Sequence, residues 1–116
     1  MAPKFATPGS DPAENQVYSL SAHGIGAVCT FTWRNPHALH GPVTATKWII
    51  WIGQDMGGGE KYRTQTPILD GGGVFISDIN VPKAALPLGP LWVTPKYQKP
   101  DLTWNDGAST KFTVVP

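Results

Sequence analysis

The sequence predicts an all-β fold, an antiparallel sandwich of two sheets built from about seven short strands. Three observations lead there. Thirteen Gly and twelve Pro punctuate a chain of 116 residues that is nonetheless 41% hydrophobic and carries five Trp, which is the composition of many turns around a real core. The most concentrated apolar run, residues 48–52, holds Trp48, Ile49, Ile50, Trp51 and Ile52; it is too short for an ordinary helix or a membrane span, and its β-branched and aromatic side chains suit a central strand. Cys29, Phe31 and Trp33 alternate with Val28, Thr30 and Thr32, a period of two that turns one face of a strand to a core and the other toward water.

Length and charge narrow the possibilities further. The chain is long enough for one domain and one core. Nine Lys and Arg against eight Asp and Glu leave a formal charge of +1, which gives no electrostatic footprint for nucleic acid or an anionic membrane. A single cysteine, Cys29, excludes an intramolecular disulfide and a cysteine-based zinc or iron–sulfur site. The first residues lack the apolar core of a secretory signal, and no stretch is expected to insert in a membrane.

In chain order, residues 1–16 carry Pro3, Pro8 and Pro12 without periodicity, so they read as an N-terminal arm ahead of a β domain at 17–116. Phe5 is the candidate anchor of that arm on a neighbouring subunit. A brief strand is expected at 16–20 and a longer one at 27–33, ended by Asn35 and Pro36, followed by a loop with His37 and His40. After the 48–52 strand, Gly57, Gly58 and Gly59 make a turn into residues 60–66, where Tyr62, Thr64 and Thr66 face one way and Lys61, Arg63 and Gln65 the other. So polar a strand belongs at an edge. Gly71 to Gly73 precede a strand at 74–82 with core candidates Val74, Ile76 and Ile79. Pro82 and Pro87 leave room between them for a single helical turn. A short strand at 91–94 is expected to stop at Pro95, Asp106 and Gly107 to make a turn, and residues 111–115 to form the last strand, with Phe112 and Val114 on one face.

Phe31 and Trp33 at the end of an early strand, the central 48–52 strand, and Ile76 and Ile79 three apart before the corner at Pro82 are similar to the corresponding parts of fibronectin type III and immunoglobulin-like modules. The resemblance covers residues 17–115. It implies a two-sheet sandwich of a kind that hosts adhesion, carbohydrate binding, particle decoration and a few metal chemistries, so that the fold alone names no function, and the single Cys29 means that the antibody-type disulfide between sheets is missing.

His37 and His40, with His23, are weak metal-ligand candidates: the iron site of superoxide reductases, built on a similar sandwich, needs four His and a Cys, and this chain has three His. Neither glycine run has the lysine and hydroxyl ending of a phosphate loop. The carboxylates are dispersed, and no serine sits in a nucleophile elbow, so no catalytic residue and no cofactor is expected. The Trp residues carry more. Alternation puts Trp48, Ile50 and Ile52 on one side of their strand and Ile49 and Trp51 on the other, while a two-layer sandwich buries one side. Phe5, Trp48, Trp51, Trp92 and Trp104 are therefore candidates for a protein interface, as aromatic anchors commonly are. The expected function is a non-catalytic structural module on a virion surface, resembling a capsid decoration protein in organisation, bound to a symmetric lattice or to further copies of itself through its arm and an apolar face. The alternative is a carbohydrate-binding or adhesive module that stacks sugars on Tyr62, Trp92, Tyr97 and Trp104.

Overall fold

The computed structural model describes residues 5, 9–36, 47–66 and 74–116. In chain order these form β1 (Val17–Ser19), α1 (Leu20–His23), β2 (Gly24–Ile25), β3 (Val28–Pro36), β4 (Lys47–Asp55), β5 (Gly58–Thr66), β6 (Val74–Pro82), a 3-10 turn (Lys83–Ala85), β7 (Gly89–Gln98), β8 (Trp104–Asp106) and β9 (Thr110–Val115). One sheet runs β1-β9-β7-β4-β5 with β8 also paired to β7, and the other runs β2-β3-β6. The all-β expectation holds, with nine strands among the described residues instead of about seven. No helix among them is long and apolar enough to cross a membrane.

Two departures from the sequence reading have simple causes. The small elements β2, β8 and α1 are two to four residues long, too short to show any periodicity; α1 exists because Ser19 accepts a hydrogen bond from Ala22 N at its start. The larger sheet is mixed, because β1 pairs in parallel with β9, Val17 opposite Thr113. These strands come from opposite ends of the chain, so the whole domain serves as their crossover. Thr113 N donates to Gln16 O at 2.9 Å and Ser19 Oγ to Pro116 O at 2.8 Å, which fastens the two ends together.

The core lies between the sheets. Cys29, Phe31 and Trp33 of β3 with Ile79 and Val81 of β6 meet Tyr18, Trp48, Ile50, Ile52, Leu91, Val93, Phe112 and Val114 of the larger sheet. The side chains of Val74 and Ile76 fall outside the described residues. Aromatic rings bridge the layers edge to face: Phe31 with Phe112 at 5.6 Å, Phe31 with Tyr18 at 5.0 Å, and Trp33 with Trp48 at 5.1 Å between centroids.

Phe5 joins this core instead of reaching outward. Its side chain is 0% exposed and stacks on Trp33 at 6.0 Å with 15° between the rings. The segment behind it is also held by its own domain: Asp11 and Thr32 exchange backbone hydrogen bonds of 2.8 and 2.9 Å, and Arg34 N donates to Ser10 Oγ at 3.0 Å. Phe5, expected to anchor the arm on a neighbour, is thus buried in its own domain, and Ser10 and Asp11 line the edge of β3. The sequence reading missed this because a lone aromatic among prolines has no periodic partner to declare its burial.

Pro95 was expected to stop its strand, yet β7 runs from Gly89 to Gln98 through it and is flanked by β4 on one side. The other neighbour is broken at this point: β9 pairs residues 89–93 and β8 pairs residues 96–98. Pro95 O accepts from Gly107 N, in that break, at 2.7 Å. Within a strand the N and O of one residue face the same side, so the missing N–H of Pro95 points to the gap, where no ladder bond is lost.

Tyr18 carries a prediction. Its ring stacks on His23 at 3.9 Å and its hydroxyl donates to Thr30 O at 2.9 Å. Burial, then the nearness of Cys29 and Asp11, hold the phenol above its ordinary value of 10.0. A raised acid pKa in the folded state means stability that is complete below pH about 10 and declines as pH rises above it, since the unfolded chain releases that proton first. In a spectrophotometric titration at alkaline pH, ionisation of Tyr18 should coincide with loss of far-UV circular dichroism. Ionisation of all three tyrosines in a chain that keeps its native spectrum would contradict the assignment.

Candidate functional site

Strand parity sorts the five Trp into two groups. Trp33 and Trp48 fill the core, 0% and 2% exposed. Trp51, Trp92 and Trp104 stand on the outer face of the six-stranded sheet, and cross-strand register arranges that face in rows. Lys47, Gln98 and Trp104 form one; Gln65, Ile49, Lys96 and Asp106 the next; Arg63, Trp51 and Thr94 a third; and Gly53, Trp92 and Lys111 a fourth. This is the surplus side of β4 that the sequence left unassigned.

The surplus side is partly roofed by its own neighbours. Trp51 is 5% exposed although it is outside the core. Its ring reaches over Gly53, where a Cβ would stand 2.2 Å from Trp51 Cη2. Lys96 Nζ sits 5.5 Å from the centroid of the Trp51 ring, and Lys111 Nζ sits 5.8 Å from that of Trp92, each a cation over an aromatic face.

Between these rows lies a cleft of about 310 Å³ lined by Ile49, Arg63, Lys96, Trp104 and Asp106. Lys96 Nζ donates to Asp106 Oδ1 at 3.0 Å. Arg63 pairs with Glu60 through Nε at 2.6 Å and also through Nη2. Trp104 remains 46% exposed and offers its indole to the opening.

The β7–β8 connection sets the position of Trp104. Lys99 N donates to Thr103 O and Leu102 N to Lys99 O, both at 2.9 Å. Asp101 Oδ1 accepts from Thr103 Oγ1 at 2.6 Å and from Thr103 N at 3.0 Å. The side-chain bond from Thr103, then its backbone bond, hold the Asp101 carboxyl below its ordinary value. Leu102 adopts φ of 70° and is 70% exposed, a left-handed conformation that costs a branched residue about 1–2 kcal/mol. Strain of this kind next to a cleft is a mark of functional loops.

The remaining candidates fall elsewhere. Tyr62 and Tyr97 face inward and pack against the core, Tyr97 lying 5.3 Å from Trp48. They therefore do not share a surface with Trp92 and Trp104. His23 is engaged on both ring nitrogens, with Ser19 O and Asp11 Oδ2 at 2.8 Å each. His37 and His40 lie outside the described residues, and among the described residues no three His, Cys, Asp or Glu gather as a metal site.

Arg63, Lys96 and Asp106 were not singled out by the sequence reading. The signal for Arg63 existed, since its strand was read with Arg63 opposite Tyr62 in facing. What brings it beside Lys96 and Asp106 is the register of four strands, and no local pattern encodes that. No protein-family model matches the chain, and no curated protein matches it in sequence.

Proposed function

We propose that this chain is a non-catalytic immunoglobulin- or fibronectin-like interaction module that docks on a larger assembly, a virion surface being the setting its organisation suits best. The observation that carries this reading is the outer face of the six-stranded sheet. Trp92 and Trp104 stand there, interleaved with Lys96, Lys111 and Arg63 and underlain by the buried Trp51, an aromatic and cationic surface of the kind that marks interfaces. The sheet order supports the immunoglobulin-like reading, as the chain passes between the layers from β3 to β4, from β5 to β6 and again from β6 to β7. Phe5, Ser10 and Asp11, held against β3, then serve stability, and attachment falls to the sheet face.

Co-sedimentation with assembled particles of the source tests the reading. Wild-type protein should pellet with them. The double variant Trp92→Ser and Lys111→Glu should stay in the supernatant while keeping its thermal midpoint within a few degrees, because both side chains lie outside the core. Failure of the wild type to pellet, or equal pelleting of the variant, would refute it.

A further inference from the structure

The cleft beside Trp104 has a chemistry of its own. We infer that it binds one carboxylate-bearing pyranose ring, a uronic acid unit of an acidic polysaccharide. Its volume of about 310 Å³ lies at the lower end of the range for small-ligand sites and suits a single sugar ring. One wall is an aromatic face, the half-exposed Trp104, on which the C–H face of a pyranose stacks as other apolar surfaces stack on indoles. The other walls are Arg63, Lys96 and Asp106 over a floor at Ile49.

The charges point to an acid in place of a neutral sugar. Arg63 and Lys96 stand against Asp106 in the lining and Glu60 beside it, and exposed Lys47 in the Trp104 row tips this balance positive. Glu60 occupies one edge of the Arg63 guanidinium through Nε and Nη2. A guanidinium has five N–H donors, so its other edge can take a ligand carboxylate. The existing pair does not prevent this, as Arg63 and Glu60 side chains are 57% and 41% exposed and such pairs are weak. Asp106, its Oδ1 held by Lys96, presents an acceptor to ring hydroxyls. The chain's formal charge of +1 supplies no extended positive field for a polynucleotide.

A soluble oligosaccharide meets the free domain, so this site and attachment to a particle are tested separately. The full chain would be titrated with hexuronate oligomers, with neutral oligomers of the same linkage, and with oligothymidylate, following Trp fluorescence and backbone amide shifts. The uronate oligomers should shift amides in β5, β7 and β8 and bind at least about tenfold more tightly than the neutral ones, the size of one charged hydrogen bond. Trp104→Ala and Arg63→Gln should each weaken binding about tenfold, whereas Leu88→Ala, an exposed residue away from the cleft, should not change it. The amide map of the wild type decides the matter even where a variant unfolds. Absence of uronate binding, equal binding of the neutral oligomers, tighter binding of oligothymidylate, shifts confined to other strands, or full binding by a folded Trp104→Ala protein would each overturn the assignment.

Discussion

Replacing Phe5 by Ala should lower the free energy of unfolding by about 3–5 kcal/mol, the usual cost of emptying a buried Phe site. The ring is fully buried, stacked on Trp33 and set edge to face against Phe31 at 6.0 Å. Its removal leaves a hole that Trp33 and Phe31 cannot close, because Trp33 is fixed on its other side by Trp48 and Phe31 by Tyr18 and Phe112. For a domain whose total stability is on the order of 5–15 kcal/mol, that loss is a large fraction of the whole. Denaturant unfolding followed by Trp emission measures it. A change below about 1 kcal/mol would mean that Phe5 leaves the core readily, and the arm would regain its role as a free attachment segment.

Alternation in β3 announced which side chains face inward, and Cys29, Phe31 and Trp33 are buried; in β4 it separated two sets without choosing between them, and Trp48, an interface candidate in the sequence, goes into the core with Ile50 and Ile52. Phe5 had no such context, being fixed by a tertiary contact and by the bridge from Asp11 to Thr32. The corner turn between Pro82 and Pro87 was equally legible, since two prolines limit any helix between them. Pro95 misled for the same reason. Its local rule is sound, but the break between β8 and β9 removes the conflict, and that break lies more than ten residues away in sequence. The candidate cleft was half legible: Trp104 stood out by type, while Arg63, Lys96 and Asp106 became a group through strand register.

Replacing Gly53 by Val should be the most disruptive change on the outer face. A Cβ at that position would lie 2.2 Å from Trp51 Cη2 and 2.5 Å from the backbone oxygen of Gly58, closer than any carbon tolerates. Two escapes exist. Trp51 can swing off the sheet, which exposes an indole now 5% accessible and removes the ring beneath Lys96. Alternatively the β4–β5 hairpin opens at its irregular step between Ile52 and Gly53. Either costs about 1–3 kcal/mol, as overpacking typically does, and the first shifts Trp emission to the red. Gly53→Ala should act in the same direction with a smaller effect. A double-mutant cycle with Trp51→Ala separates the two escapes: if the ring is the main obstacle, the cost of Gly53→Ala falls sharply once the indole is gone. An unchanged cost would place the whole penalty on the Gly58 carbonyl, and the close seating of Trp51 on β4 would then owe nothing to the glycine beneath it. Because Lys96 bridges Trp51 and Asp106, a displaced Trp51 should also release one wall of the cleft and weaken whatever the cleft binds.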